Sequence, residues 1–171
     1  NASAKYISYL LTPATVCLAV PLYEQLELLK KNKVAVVCGI LSGTLASLTG
    51  IFVLCMLFGF NHKQYVTMLP KSITTAIGIG ISEELGGIVT ITVAVIIITG
   101  ILGNVIADTV FHIFKIKNPL AKGLALGTAS HAIGTARAIE MGPVEGAMSS
   151  LAVAVAGLLT VVFVSGFAQL I

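Results

Sequence analysis

The chain has 171 residues, of which 57% are hydrophobic and only 10% charged, with a formal net charge of +3. Its mean hydropathy is +1.03, whereas ordinary soluble domains carry about 25% charged residues. This balance excludes a water-solvated enzyme domain and a nucleic-acid-binding surface, and it predicts an all-α, polytopic transmembrane protein whose principal partner is the lipid bilayer.

The chain opens on Asn1 rather than Met and close to an apolar stretch, so further N-terminal spans are expected to precede it. Residues 6–23 form an uncharged stretch of spanning length. Pro13 and Pro21 each remove a backbone donor and disfavour helix just before them, which predicts an interrupted helix. From Val34 to Phe60 there is no Asp, Glu, Lys, Arg or His, and the same holds from Ile88 to Ala107 and from Gly146 to Ile171. Each run reaches the roughly 20 residues that cross a bilayer. They are internal and too long for a signal peptide, so all three are read as transmembrane helices. Gly39 and Gly43 are spaced as a GxxxG motif that Ser47 continues, a pattern that lets a neighbouring helix approach closely in lipid. Cys17, Cys38 and Cys55 lie unpaired in apolar stretches and read as small buried hydrophobes.

Two less apolar stretches, Tyr65 to Gly87 and Leu120 to Gly142, each precede a long apolar run. Shifted by 56 positions, Ala76, Ile77, Gly78, Glu84 and Gly86 match Ala132, Ile133, Gly134, Glu140 and Gly142. The chain is therefore read as one transmembrane domain holding two repeat units, about 65–111 and 120–171. Charge placement decides their relation. Lys30, Lys31 and Lys33 form one basic cluster and Lys115, Lys117 and Lys122 another, and basic residues beside spans prefer the cytoplasmic side. With both clusters inside, the first polar stretch enters and leaves on the outer face and the second on the inner face. The result is an inverted repeat of two broken or re-entrant segments, the arrangement in which secondary transporters build their sites. If both stretches crossed instead, the repeat would be parallel and the clusters would fall on opposite sides, against the charge rule.

Non-helical backbone at membrane depth is tolerated only when buried in protein or lining a wet cavity. Ser72, Thr74 and Thr75 in the first stretch, and Thr128, Ser130, His131 and Thr135 in the second, give the small, hydroxylated composition such a lining needs. The blander alternative is that these hydroxyls bond back to helix carbonyls and help packing. Arg137 stands among apolar neighbours and is a candidate anion binder, with Glu140 and Glu145 as candidate structural partners instead. His131 is a candidate proton-coupling group or a packing histidine. Lys71 is either a positive charge at the mouth of the first segment or a snorkelling interfacial lysine. Motifs of hydrolases, zinc proteases and nucleotide-binding loops are missing, so no enzyme activity, metal or cofactor is expected.

The run Gly127-Thr128-Ala129-Ser130-His131-Ala132-Ile133-Gly134-Thr135-Ala136-Arg137-Ala138 resembles the signature of the LrgB/CidB family. Thr12-Pro13-Ala14-Thr15, Leu69-Pro70-Lys71-Ser72, Ile81-Ser82-Glu83-Glu84-Leu85-Gly86-Gly87 and Lys122-Gly123-Leu124-Ala125-Leu126 extend the resemblance over essentially the whole chain. It implies one of two roles. One is antiholin-like regulation of murein hydrolase activity and autolysis with a holin-like LrgA or CidA partner. The other is carriage of a small carboxylate anion of the pyruvate, lactate, glycolate or glycerate class, as in the related plastid glycolate/glycerate translocator. The carrier is the preferred expectation, with Thr15 joining the hydroxyl and basic residues above as a candidate substrate contact. Some family members lack an arginine where Arg137 stands, which leaves helix N-termini as the more general device for attracting carboxylates. The resemblance places the chain in a bacterial inner membrane or, alternatively, a plastid envelope, and allows a homo-oligomer.

Overall fold

A computed structural model describes residues 23, 24 and 26–171. The expected interrupted helix before them, with Thr15 and Cys17, lies outside the described residues. Among those described there are seven helices and no strand. Three of the helices are long and apolar enough to cross a membrane.

Helix α1 (Leu26–Lys31) leads through Asn32 into α2 (Lys33–Leu57), the first of the three long helices. Its end is closed by Gly59, whose φ of 63° lets Phe60 N–H reach back to the Cys55 carbonyl at 2.9 Å. That left-handed step satisfies carbonyls the helix would otherwise leave orphaned. Helix α3 (His62–Met68) begins with a capping box, in which Asn61 accepts from Gln64 N–H and the Gln64 side chain accepts from Asn61 N–H. The chain then turns through residues 69–74 and returns as α4 (Thr75–Glu84). Gly86, at φ 73°, makes the turn into the long helix α5 (Val89–Ile113). Helix α6 (Pro119–Met141) starts with Pro119 behind the Asn118 cap, and Gly142 links it to the long helix α7 (Pro143–Ala168).

The contacts fix the direction of each piece. Tyr65 Oη donates to the Phe167 carbonyl at 2.8 Å, His62 Nδ1 lies 2.7 Å from the Ile171 carbonyl, and Thr67 Oγ1 accepts from Ile88 N–H at 2.9 Å. So α3 and the end of α4 lie at one end of the long helices, while the turn between them reaches inward to Ser47 of α2. Residues 62–87 are a re-entrant hairpin.

Helix α6 is a second one. His131, at φ 44° and ψ −135°, breaks it, and a β-carbon built on Gly134 would sit 2.6 Å from the Leu126 carbonyl oxygen. Eight residues of straight helix would hold those positions about 12 Å apart. The first arm, residues 119–130, runs parallel to α7, with Gly123 against Glu145 and Gly127 against Ser149. The second arm, residues 132–141, runs antiparallel to it, with Ile139 against Gly146. Both ends of α6 therefore lie at the start of α7, opposite the mouth of the first hairpin.

Lys33, the α5–α6 connection and Lys122 share this end, so the two basic clusters lie on one side, as the charge rule predicts. Lys122 Nζ also stands 5.8 Å from the centroid of the Phe111 ring. Buried apolar side chains collect near each end, around Leu48, Tyr65, Leu69 and Val164 at one and around Val36, Ile40, Ala147 and Met148 at the other. Between them, at mid-depth, the two hairpin tips meet among hydroxyls.

Candidate functional site

A groove of about 850 Å³ runs from the basic end to mid-depth between α2, the first arm of α6 and the turn of the first hairpin. Asn32 and Asn118 line its outer part, and Ser42, Gly43, Ser47, Lys71, Ser72 and Thr128 line its inner part. The GxxxG stripe explains why α2 fits here. A β-carbon on Gly39 would stand 3.2 Å from Leu124 and one on Gly43 would stand 3.0 Å from Thr128, so the α6 arm lies almost on the α2 backbone.

The groove's one cation among the described residues is Lys71. Its Nζ donates to Ser72 Oγ at 2.7 Å and to Ser47 Oγ at 3.3 Å, and Ser47 Oγ donates to Ser72 Oγ at 3.0 Å. The ion pairs found among the described residues all belong to Arg137, and none reaches Lys71. Residues 1–22 carry no Asp or Glu. An ammonium at this depth, held by neutral hydroxyls with at least one N–H left over, is a ready-made partner for an anion.

The expected site residues separate into three groups. Lys71, Ser72 and Thr128 meet in the groove, although Thr128 Oγ1 also donates back to the Leu124 carbonyl at 2.8 Å. Thr74 and Thr75 begin α4 beside them, with no hydrogen bond from the Thr74 side chain to the helix end.

Ser130, His131 and Thr135 are buried in the second hairpin and do not line the groove. His131 Nε2 lies 3.0 Å from the Ile96 carbonyl, and Thr135 Oγ1 donates to the His131 carbonyl at 3.0 Å and pairs with Ser149 Oγ at 2.8 Å. His131 and Thr135 fasten the hairpin tip to α5 and α7 by these bonds, and Ser130 packs against Gly103 of α5.

Arg137 stands apart, at the basic end. It donates to Asp108 of α5 and, at 2.7 Å, to Glu140 one turn on in its own helix. Both carboxylates are well exposed, so the pair contributes little stability and acts as a surface clasp between α5 and the second arm. Glu140 is a partner that the sequence spacing predicts, whereas Asp108 is brought in from another helix, and Glu145 forms no ion pair with the guanidinium.

Sequence reasoning misses Ser47 and Thr44 as site residues. The only available signal is that both hydroxyls sit on or beside the small-residue stripe of an otherwise apolar span. Thr44 Oγ1 is buried with no hydrogen-bond partner. It faces a second cavity of about 10 Å³, shared with Ser47, Ser72, Thr128 and Thr160, directly behind the groove. Among the described residues no three His, Cys, Asp or Glu side chains converge as a metal site would.

No solved structure matches the chain. The family model described as LrgB-like matches residues 1–170. Proteins named antiholin-like protein LrgB from Bacillus cereus (strain B4264) and Bacillus anthracis (strain CDC 684 / NRRL 3495) are each 42% identical to it over 167 residues, covering 98% of this chain and 73% of theirs. With the signature run folded into the second re-entrant hairpin and the match extending over the whole length, the chain belongs to the LrgB-like family of membrane proteins.

Proposed function

We propose that the chain is an antiholin-like protein of a bacterial inner membrane, restraining murein hydrolase activity and autolysis together with a small holin-like membrane partner of the LrgA or CidA type. The observation that carries this reading is its 42% identity, over 98% of its length, to proteins named antiholin-like. Deleting the gene for the full-length protein tests it. Faster autolysis, reversed by re-expression beside the partner, supports the role; an unchanged lysis rate overturns it.

A second reading, favoured by one geometric observation, is carriage of a small monocarboxylate. Lys71 offers an ammonium without a carboxylate to a groove of about 850 Å³ at mid-depth. A regulator has no need of such a seat, whereas a carrier requires one. On this reading the two opposed hairpins are the halves of an inverted repeat, rocking about the groove in alternating access. Saturable uptake of labelled pyruvate, lactate, glycolate or glycerate into vesicles holding the full-length protein, with one acid blocking another, supports it. Absence of flux with and without the holin-like partner leaves the regulatory role alone.

A further inference from the structure

The groove's cation has an unusual setting. Lys71 is most of the way to mid-depth, its Nζ is held by two serine hydroxyls, and no carboxylate among the described residues balances it. Leaving a bare ammonium at membrane depth is costly, and a lysine in such a place readily gives up its proton when nothing negative is beside it. A carboxylate in the groove reverses the balance, because the ion pair then shares one desolvated site.

Among the described residues the elements packed around Lys71 supply no other charge to do this. Gly43, Ala46 and Ser47 face it from α2, Thr128 and Ala129 from the α6 arm, and Ser72 from its own turn. The titratable side chain at the facing hairpin tip is His131, which keeps Nε2 on the Ile96 carbonyl and does not line the groove.

Resting on the carrier reading, we infer that Lys71 is the group that couples a proton to the anion. It gains one proton on Nζ as a singly charged carboxylate binds, and it releases proton and anion together on the other side. One proton and one monoanion cross per cycle, and no net charge moves. Both ligands reach Nζ by the same path, the groove mouth between Asn32 and Asn118. A doubly charged acid would leave one carboxylate unmatched against the apolar groove wall of Ala35, Leu120 and Leu124, so the device also selects monoanions.

The experiment uses the full-length protein in potassium-loaded vesicles with valinomycin, so that pH gradient and voltage are set independently. Labelled pyruvate is the probe, and protein-free vesicles correct for passive entry of undissociated acid. The expected result is accumulation of about tenfold per pH unit, inside alkaline, with the voltage clamped at zero, and no accumulation driven by voltage alone. Lys71→Arg, whose guanidinium keeps its proton, is expected to lose the pH-driven accumulation, and any exchange it retains should respond to voltage instead. Saturable pyruvate exchange in the unmodified protein that follows voltage and ignores pH overturns the proton role while leaving the carrier reading intact. Absence of saturable exchange by the unmodified protein overturns both. Should Lys71→Arg fail to fold, the pH and voltage responses of the unmodified protein decide between these outcomes by themselves.

Discussion

The two re-entrant hairpins share one sequence pattern and fold into two kinds of object. The hairpin at the basic end, α6, is fastened by backbone contact: Gly123 and Gly127 lay its first arm on α7, and its tip is held by Thr135, Ser149 and the Ile96 carbonyl. The hairpin of residues 62–87 is held differently, by side chains. Tyr65, Val66, Leu69 and Ile81 pack into an apolar cluster, and at its mouth the Thr92 hydroxyl pairs with that of Ser82 and lies 2.9 Å from the Thr67 carbonyl. Its turn carries Lys71 into the groove. One hairpin is a wall with a strained hinge and the other presents a charge, so equal composition at matching positions does not mean equal work.

Glycine substitutions should separate the two most sharply. In Gly127→Ala the new methyl would start 2.4 Å from the Ser149 carbonyl oxygen, where backbone must move, while in Gly78→Ala it would start 2.4 Å from the flexible end of Ile96 and 3.6 Å from the Pro70 oxygen. The expected losses are about 3 kcal/mol for Gly127→Ala, at the top of the overpacking range, and about 1 kcal/mol for Gly78→Ala. Unfolding in detergent measures both. Equal losses would mean that the first hairpin is packed as rigidly as the second.

Ligand binding should divide the hairpins in the opposite sense. Lys71→Ala removes a charged donor from the groove and is expected to weaken binding of a labelled monocarboxylate about 10- to 100-fold, the equivalent of one hydrogen bond to a charged group. Arg137→Ala breaks an exposed clasp at the basic end and should change the same affinity less than about twofold. A large loss in Arg137→Ala would restore that arginine to the binding site in which its apolar sequence neighbours place it.

The polar fastenings give a finer contrast. Thr135→Val strands the Ser149 hydroxyl and the His131 carbonyl inside the second hairpin, at the residue whose φ of 44° already stores about 1–3 kcal/mol. It should cost about 2 kcal/mol. Thr67→Val removes the acceptor of Ile88 N–H and a bond to the Lys63 carbonyl, but its own carbonyl still receives Thr92, so about 1 kcal/mol is expected. Hydrogen exchange at Ile88 and at residues 131–135 would show whether each opening stays within its own hairpin.

The large features are legible in the sequence because they depend on solvent. Uncharged runs of spanning length, lysines gathered at one end and hydroxyls in two short stretches each answer to the cost of polar groups in lipid, and the three spans, the shared basic end and the re-entrant segments follow. Local packing is not legible in the same way. His131 is the break in α6 although Gly127 and Gly134 flank it, because those glycines are taken up by contact with Ser149 and with Leu126. Arg137 looks like a mid-membrane anion binder because its neighbours in sequence are apolar. Folding the segment back on itself carries it to the end where Asp108 waits, a position no linear spacing reveals. Ser47 and Thr44 sit in a stripe whose sequence meaning is helix contact, and it becomes a site only when the contacting helix brings Thr128.

Where the two tips meet, the smallest effect asks the sharpest question. Thr44 Oγ1 faces a cavity of about 10 Å³ between Ser72 of one hairpin and Thr128 of the other, and it has no protein partner. Thr44→Val keeps the shape and removes the oxygen. If the tips close on a dry contact, the substitution relieves an unpaired polar group and should stabilise the protein by about 0.5–1 kcal/mol, since burying a hydroxyl without a bond is unfavourable. A space of this size, ringed by hydroxyls, is also at the threshold for one water. A loss of about 1 kcal/mol in Thr44→Val would then mean that the tips are joined through that water and loosen when it leaves. The expected outcome is the gain, because Ser47, Thr128 and Thr160 already commit their protons to other acceptors and leave a water in that space only Thr44 and Ser72 among the surrounding hydroxyls as donors.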